Sequence, residues 1–266
     1  MEIISSVGAM KKWTKKAGSI AFVPTMGGLH QGHLSLIKLA KESADRVVVS
    51  IFVNPAQFAE HEDFGTYPRT MEGDLALLKT QGVDCVFAPS AEAIYPDGMI
   101  LGVEVGTIGQ ILCGQTRPHF FNGVVQVVRR LFEIIRPDVA VFGQKDYQQL
   151  HIVKRFTSGV DIIEAPIMRE VDGLAMSTRN QYLSEAERSI APQLYRTLKQ
   201  LEQGRVNLQS TTKQLQQNFK LDYLEVLDAN TLKKITDNTS KIAILCAVFL
   251  GSTRLIDNII FRRKNV

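Results

Sequence analysis

The sequence has little cysteine, little histidine and no long apolar segment. Its 266 residues include three cysteines and five histidines. The cysteines lie far apart without a Cys-x-x-Cys pair, which argues against a disulfide framework or thiolate metal site and predicts a reducing compartment. The longest apolar run, IAILCAVFLG at 242–251, is too short to span a membrane. Because the N-terminal MEIISSVGAM also lacks the apolar core of a signal peptide, we expect a cytoplasmic protein with no membrane association.

The sequence also lacks a concentrated region of one charge. The formal net charge is +4, and the basic residues are scattered in short groups along the chain. Such diffuse positive charge does not indicate a nucleic-acid partner, although it suits a small anionic substrate. A non-catalytic nucleic-acid-binding protein remains the alternative from another functional class. No internal repeat or low-complexity tract is present.

Short apolar runs alternate with amphipathic segments over the first two-thirds of the chain. The runs predict strands at 20–24, 47–53, 85–89 and 139–143, and the segments predict helices at 33–44, 71–81 and 122–135. This alternation predicts an α/β fold with a parallel sheet covered on both faces. Ligands of such sheets bind beyond the carboxyl ends of the strands. We therefore expect the loops in FVPTMGG, FVNPAQF and VFGQKDYQQ to converge there.

The pattern changes after about residue 168. Ser184 and Glu187 have the spacing of a capping box at the start of a polar amphipathic helix. The later runs LDYLEVLD, KIAILCAVFLG and RLIDNIIF alternate in the way typical of antiparallel strands with one wet face. We predict two domains, at 1–168 and 169–266, of which the second is a smaller α+β domain.

Two histidines stand three residues apart in FVPTMGGLHQGHLSLIKLA at 22–40. A helix N-terminus favours anions because its first backbone N–H groups lack partners within the helix. His30 and His33, with Gly32 between them allowing close approach, are suited to donate hydrogen bonds to a phosphate group. Two other interpretations stay open. One is ordinary capping or surface histidines, and the other is a zinc site, for which no third ligand stands at a motif-like spacing.

Three further loops carry polar residues suited to a phosphorylated ligand. Gln57, in FVNPAQF, can donate to a carboxylate and accept from a hydroxyl. Lys145 can neutralise a phosphate, and the neighbouring Asp146 can receive ribose hydroxyls. Ser177 and Arg179, in MSTRN, add phosphate donors. Ordinary turns also explain the Lys145–Asp146 pair and the MSTRN segment, and turn chemistry explains Asn54-Pro55 but not Gln57. Four polar loops suited to phosphate in one α/β chain nevertheless favour nucleotide chemistry.

These motifs together resemble the pantothenate synthetase (pantoate–beta-alanine ligase) family. PTMGGLHQGH, FVNPAQF, YPR at 67–69, FGQKDYQQ, DGLAMSTRN and RLIDN stand in the order seen in that family, over essentially the whole chain. The His-x-Gly-His element alone would indicate only the wider nucleotidyltransferase superfamily. Another nucleotidyltransferase of that superfamily is therefore the alternative within the same class.

The resemblance implies a fold and a reaction. It implies a Rossmann-like N-terminal domain, a smaller α+β C-terminal domain that closes over it, and a homodimer. The family joins pantoate to beta-alanine in two steps: ATP and pantoate form pantoyl adenylate and pyrophosphate, and beta-alanine then displaces AMP. The implied small-molecule partners are thus ATP, pantoate and beta-alanine, with Mg²⁺ bridging phosphate oxygens.

The resemblance also implies roles for individual residues. Those expected to face the ATP phosphates and to take part in catalysis are His30, His33, Lys145, Ser177 and Arg179. Those expected to contact the nucleotide as well are Met26, Gly143, Asp146, Met168 and Met176. Those expected to hold pantoate or beta-alanine are Gln57 and Gln149. No protein side chain is implied as a metal ligand.

One motif departs from the family pattern. The family usually has Arg-Pro-x-His-Phe-x-Gly-Val, whereas this chain has RPHFFNGV at 117–124. Phe120 stands where the histidine is expected, and His119 stands one place earlier. The spacing from Arg117 to Gly123 is preserved, so a gap does not account for the change. We expect Phe120 to pack against its neighbours, and His119 is not among the predicted site residues.

Overall fold

The chain folds into two units in the computed structural model, which describes residues 1–59, 62–99 and 103–263. Unit 1 comprises Met1–Gln144 and Gln149–Pro166, and unit 2 comprises Lys145–Gln148 and Ile167–Val266. The segment Lys145–Gln148 therefore groups with the C-terminal part of the chain, although it directly follows a strand of unit 1.

Unit 1 contains a parallel sheet, which confirms the predicted α/β fold. Within the described residues its strands are β1 (Glu2–Ile4), β2 (Ile20–Thr25), β3 (Arg46–Ile51), β4 (Cys85–Phe87), β5 (Val139–Gly143) and β6 (Asp161–Ala165). They lie in the order β1-β4-β3-β2-β5-β6, and every neighbouring pair is parallel. The central strands are apolar on both faces because helices cover both.

Helices flank this sheet. They are α1 (Val7–Thr14), α2 (Gln31–Lys41), α3 (Met71–Thr80), α4 (Ala91–Ile94), α5 (Cys113–Thr116), α6 (Phe120–Ile135) and α7 (Tyr147–Phe156), the last starting in unit 2. Ile37 of α2 and Leu78 of α3 pack against one face of the sheet. Met10 of α1 and Leu131 of α6 pack against the other. The helix predicted at 33–44 begins two residues earlier, because His30 caps it.

The strand order of the sheet reverses direction at β2, which has neighbours on both sides. Its neighbours are β3, the next strand along the chain, and β5, which follows after a long connection. In such sheets ligands bind at the carboxyl ends of the strands where the order reverses. Thr25 pairs with Ile51 at the ends of β2 and β3, so the loops that begin at Met26 and Phe52 leave the sheet side by side.

Unit 2 contains a small antiparallel sheet, which confirms the predicted α+β character. Its described elements are α8 (Glu185–Ile190), α9 (Gln193–Glu202), α10 (Leu208–Leu215), β7 (Lys220–Asp228), β8 (Lys241–Leu250) and β9 (Thr253–Arg262). The strands lie in the order β7-β8-β9. Leu198 of α9 and Leu215 of α10 pack against one face of this sheet with Ile244 and Leu255.

The helix predicted after Ser184 is two helices. Ser184 and Glu187 form the expected capping box, and α8 starts there. The helix ends at Ile190, and α9 begins only at Gln193. Pro192 explains the break, because proline has no N–H to donate to the preceding turn.

The three cysteines are buried, and within the described residues they form no disulfide. Burial raises the pKa of the Cys85 thiol to about 12, which leaves it protonated and unreactive at neutral pH. Across the described part of the chain, no helix has the length and apolar character that crossing a membrane requires.

Candidate active site

His30 and His33 lie together at the N-terminus of α2, with their ring centroids 4.1 Å apart. His30 is the N-cap residue, and its Nδ1 accepts a hydrogen bond from the backbone N–H of Gly32 at 3.1 Å. The Nδ1 of His33 accepts reciprocally from the backbone N–H of His30 at 3.3 Å. The two imidazoles therefore form a capping box, a role usually filled by a hydroxyl and a carboxylate.

The capping box sets the tautomer of both rings. A neutral imidazole carries its hydrogen on only one nitrogen, and Nδ1 is the acceptor in each ring. The hydrogen is therefore on Nε2, so each histidine is a donor at the ring position remote from its cap. Capping and phosphate binding, which the sequence left as alternatives, are thus compatible roles for the same side chains.

A buried carboxylate holds the glycine loop that precedes α2. Asp74 of α3 accepts from the backbone N–H groups of Gly28 and Leu29, each at 2.9 Å, and from Thr70 Oγ1 at 3.1 Å. Asp74 therefore already accepts from these two backbone N–H groups, which precede the first residue of α2. The histidine rings remain the predicted phosphate donors of this segment.

Gln57 ends a 3₁₀ turn, Pro55–Gln57, that follows β3. Its Oε1 accepts from Asn54 Nδ2 at 3.1 Å, and its Nε2 donates to Met26 Sδ at 3.1 Å. Asn54 is buried and accepts in turn from Tyr95 Oη at 2.7 Å. The structure thus brings together Met26 and Gln57, both predicted ligand residues, and orients the Gln57 amide through a buried hydrogen-bond chain.

Arg117 supports the same turn. Its guanidinium forms an ion pair with Glu62, and its Nη2 donates to the backbone carbonyl of Gln57 at 3.1 Å. The guanidinium also lies over the ring of Phe120, 3.7 Å from the ring centroid. Phe120 therefore packs, as predicted, and supports Arg117 by a cation–π contact. His119 is exposed where α6 begins.

Gly143 and Gln149 are the remaining predicted site residues of unit 1. Gly143 ends β5, and Gln149 lies in the first part of α7; both are half-buried. A Cβ on Gly143 would meet Leu36 at 3.9 Å, an ordinary contact. The fold therefore does not require glycine there.

In unit 2, Lys145 and Asp146 belong to a 3₁₀ turn directly after β5. Lys145 is half-buried, and Asp146 is exposed. The carbonyl oxygen of Lys145 accepts from Asn258 Nδ2 at 3.0 Å. Nearby, Tyr147 Oη donates to the carbonyl oxygen of Ala229 at 2.9 Å. Two hydrogen bonds within unit 2 therefore hold this short segment.

Met168 and Met176 stand opposite each other in a short hairpin. The backbone N–H of Met176 donates to the Met168 carbonyl at 3.0 Å, and Arg169 pairs with Ala175. Gly173 turns the chain with a φ of 99°, which favours glycine. Met168 is exposed and Met176 half-buried. Two predicted nucleotide contacts thus stand side by side.

Ser177 and Arg179 follow that hairpin directly. Ser177 is the N-cap of a 3₁₀ turn, Thr178–Tyr182, and its Oγ accepts from the Arg179 backbone N–H at 3.3 Å. A serine hydroxyl that accepts in a cap can still donate its own hydrogen. Asn180 Nδ2 donates to the Ala175 carbonyl at 3.0 Å, which ties the turn to the hairpin.

An ion pair between Arg169 of the hairpin and the buried Asp257 of β9 links the hairpin to the antiparallel sheet. Arg169 Nη1 and Nη2 donate to the two carboxylate oxygens of Asp257 at 2.7 and 2.8 Å, and the guanidinium lies over the ring of Tyr195, 3.7 Å from its centroid. Burial raises the pKa of the Asp257 carboxyl above its ordinary value, while the hydrogen bonds from Arg169 oppose that rise.

In the described ranges, no group of three or more His, Cys, Asp or Glu side chains could hold a metal ion. The zinc interpretation of the two histidines therefore has no ligand set in that part of the protein. Mg²⁺ does not require such a cage, because it is commonly held by substrate phosphates and water.

Sequence reasoning missed the supporting residues Asp74, Arg117 and Asp257. Asp74 lies four residues before the buried Leu78, so the helical period already marked it as an inward-facing acid. Asp257 occupies the buried face of β9 between Leu255 and Ile259, which the two-residue strand period also indicates. Nothing in the local sequence indicated the partner of Arg117.

Comparison with known protein families gives one match over nearly the whole chain. The family model described as Pantoate-beta-alanine ligase matches residues 2–260. A pantothenate synthetase of Vesicomyosocius okutanii subsp. Calyptogena okutanii (strain HA) is 58% identical over 264 residues, covering 95% of this chain and 93% of the relative. A pantothenate synthetase of Carboxydothermus hydrogenoformans is 50% identical over 262 residues, covering 92% and 93%.

Solved structures are similar over the same extent. The pantothenate synthetase from Thermus thermophilus has a TM-score of 0.91 and 40% identity, and the match covers 97% of this chain and 99% of that one. The pantoate-beta-alanine ligase from Francisella tularensis, complexed with beta-gamma ATP and beta-alanine, has a TM-score of 0.86 and 36% identity, with coverage of 98% and 97%.

Proposed function

The chain belongs to the pantoate–beta-alanine ligase family and catalyses the ATP-dependent condensation of pantoate with beta-alanine; we propose that His30 and His33 stabilise phosphate charge in its first step. In that step a pantoate carboxylate oxygen bonds to the α-phosphorus of ATP, and pyrophosphate leaves. In the second, the amine of beta-alanine attacks the acyl carbon of pantoyl adenylate, loses a proton and releases AMP.

The observation that carries this proposal is the reciprocal cap between the two histidines. Because both Nδ1 atoms accept backbone hydrogens, both Nε2 atoms carry hydrogens suited to phosphate oxygens. The capped rings are held before substrate arrives, so little reorganisation is needed when negative charge develops. Attack of one anion on another depends mainly on such positioning and charge neutralisation.

We propose that Lys145, Ser177 and Arg179 also contact the ATP phosphates. Lys145 would supply a compact positive charge, Ser177 a hydroxyl donor and Arg179 a planar fork of donors. Two hydrogen bonds that hold the main chain of this turn support the assignment: the Arg179 backbone N–H donates to Ser177 Oγ, and Asn180 Nδ2 donates to the Ala175 carbonyl. The nucleotide contacts that we propose in addition are Met26, Gly143, Asp146, Met168 and Met176.

Gln57 and Gln149 are the proposed residues for pantoate or beta-alanine. Pantoate has one carboxylate and two hydroxyls, and an amide can donate to the former and accept from the latter. The hydrogen bonds from Gln57 to Met26 and Asn54 support this role because they fix the direction of the amide. A neutral side chain also avoids repelling the attacking carboxylate.

Four further features of the protein are proposed, the first two from the family resemblance and the last two from the composition and charge of the sequence. Mg²⁺ would enter with ATP as part of the substrate and would neutralise charge on the phosphates, and we propose no protein side chain as its ligand. The protein is a homodimer, which light scattering after size-exclusion chromatography tests. It works in the cytoplasm, where ATP is available, and has no nucleic-acid partner.

Product analysis tests the reaction directly. The protein is incubated with ATP, Mg²⁺, pantoate and beta-alanine, and the products are identified by mass spectrometry. Pantothenate, AMP and pyrophosphate are expected, with AMP release dependent on beta-alanine. A product that retains the nucleotide would instead support another nucleotidyltransferase. Binding of RNA or DNA that weakens with salt would support the nucleic-acid alternative.

A further inference from the structure

Asp257 and Asn258 are adjacent buried residues of β9 whose side chains contact two separate segments of unit 2. We propose that both are positioning residues for ATP. Asn258 fixes the main chain at Lys145, and Asp257, acting through Arg169, fixes the Met168–Met176 hairpin. This role rests on the proposed function, in which Lys145 and the residues in and after the hairpin contact ATP.

The contact from Asn258 acts on the main chain of Lys145. Asn258 Nδ2 donates to the Lys145 carbonyl oxygen at 3.0 Å, and the backbone N–H of Asn258 donates to Asp257 Oδ1 at 2.7 Å. A lysine side chain is long and flexible, so the place its ammonium can reach depends on where its main chain is held. The hydrogen bond from Asn258, which lies on the last strand of the C-terminal sheet, fixes the Lys145 main chain.

The contact from Asp257 acts through Arg169. Besides its two-point ion pair with Asp257, Arg169 donates from Nη1 to the Gly173 carbonyl at 3.1 Å and from Nη2 to the Asn258 carbonyl at 3.3 Å. The guanidinium also lies over the ring of Tyr195. Arg169 therefore joins one strand of the hairpin, its turn and β9.

A buried ion pair is a weak means of stabilising a sheet. Removing both charges from water offsets much of their attraction, and apolar residues of similar size are often at least as stable. The planar two-point pair provides a defined geometry instead. Because the hairpin ends at Met176 and continues directly into Ser177, a fixed hairpin determines where the proposed phosphate donors Ser177 and Arg179 lie.

The same sheet offers a matched control. Arg254, also on β9, donates from Nε and Nη2 to Asp222 Oδ2 of β7, at 3.0 and 2.6 Å. The two carboxylates are similarly buried, with 2% of the Asp257 side chain and 7% of the Asp222 side chain exposed. The Arg254–Asp222 pair joins β9 to β7, whereas the Arg169–Asp257 pair joins β9 to the hairpin.

The experiment compares Asn258→Ala, Asp257→Asn and the control Asp222→Asn in the full chain. Adenylation is measured as pantoate-dependent exchange of pyrophosphate into ATP, with KM obtained separately for ATP and pantoate, and folding is followed by thermal melting. We expect Asn258→Ala and Asp257→Asn to raise the KM for ATP by about tenfold, as expected for one or two lost hydrogen bonds, with little change for pantoate. We expect Asp222→Asn to lower the melting temperature without raising the KM for ATP.

An unchanged KM for ATP in folded Asn258→Ala and Asp257→Asn proteins would overturn the positioning role, because a merely structural residue lowers only the amount of active protein. If Asn258→Ala fails to fold, Asn258→Ser, which keeps a small polar side chain, takes its place. If Asp257→Asn fails to fold, Arg169→Lys, which keeps the charge but loses the planar two-point pair, takes its place. Lys145→Ala, assayed alongside, distinguishes a failure of the positioning role of Asn258 from a failure of the proposed phosphate role of Lys145. If Lys145→Ala also leaves the KM for ATP unchanged, the proposed phosphate role of Lys145 fails as well.

Discussion

Gly123 of α6 lies so close to the main chain of Ala56 that no side chain fits between them. A Cβ on Gly123 would lie 2.1 Å from the Ala56 carbonyl oxygen and 3.0 Å from the backbone nitrogen of Gln57. Asn54 Nδ2 also donates to the Gly123 carbonyl, at 3.2 Å. Helix α6 and the turn that carries Gln57 are therefore placed by direct backbone contact.

Gly123→Ala should displace that turn. The added methyl group must push the Ala56 main chain away, and we expect a loss of about 1–3 kcal/mol in the free energy of unfolding. The KM for pantoate should rise with it. Gly8→Ala is the control, because Gly8 lies in α1 with nothing within 4 Å of its added Cβ and should be as stable as the parent or slightly more so. Chemical denaturation and steady-state kinetics provide both measurements, and wild-type values for Gly123→Ala would contradict the close contact.

Two substitutions of His33 should separate its capping role from its proposed phosphate role. His33→Asn keeps an acceptor near the place of Nδ1 but lacks a group near Nε2, so it should fold normally while adenylation slows by about 100-fold or more. His33→Gln places an amide near Nε2 and loses the cap, so it should be less stable by about 1 kcal/mol yet retain more activity. Single-turnover adenylation and thermal melting measure the two effects. Near-normal adenylation by His33→Asn would exclude the phosphate role.

Gln57→Ala should lower the affinity for pantoate far more than the affinity for ATP. The amide is directed by Asn54 and Met26, and we propose that it meets the carboxylate or hydroxyls of pantoate. Titration calorimetry with each substrate measures the two affinities. Gln216→Ala, at an exposed position after α10, serves as the control and should bind both normally. An equal loss of affinity for pantoate and ATP in Gln57→Ala would contradict a specific role of Gln57 in binding pantoate.

Arg179→Lys should impair adenylation although the charge is kept. A lysine ammonium cannot reproduce the planar fork with which arginine binds phosphate oxygens. Arg205→Lys makes the same replacement at an exposed position between α9 and α10 and should be silent. Rates of pantoate-dependent pyrophosphate exchange compare the two variants. Full activity in Arg179→Lys would contradict the two-point phosphate contact.

His119→Ala should be nearly silent. His119 is exposed where α6 begins, and Phe120 beside it packs against the guanidinium of Arg117. Phe120→Ala, by contrast, removes that support and should raise the KM for pantoate through the Arg117 contact with Gln57. A steady-state assay of both variants checks this, and a large loss in His119→Ala would show that the shifted histidine takes over the role of the missing one.

Local sequence patterns determined most of the secondary structure and the fold class. The apolar runs at Ile20–Thr25 and Val139–Gly143 are strands because β-branched residues flanked by turn residues suit a sheet buried on both faces. The Ser184–Glu187 capping box marks the start of α8 because both of its hydrogen bonds are local. The prediction of a single helix after Ser184 was wrong at Pro192. The amphipathic pattern continues across this proline, but the proline itself ends the first helix.

Only the tertiary structure decided how the candidate site residues are held. Asp74 binds the glycine loop across 46 residues of sequence, Arg117 binds the Gln57 carbonyl across 60, and Asn258 binds the Lys145 carbonyl across 113. A long-range hydrogen bond leaves no periodic pattern in the sequence, because its partner is set by which strands and helices become neighbours. The periods marked Asp74 and Asp257 as inward-facing, yet what each one faces depends on how the whole chain packs.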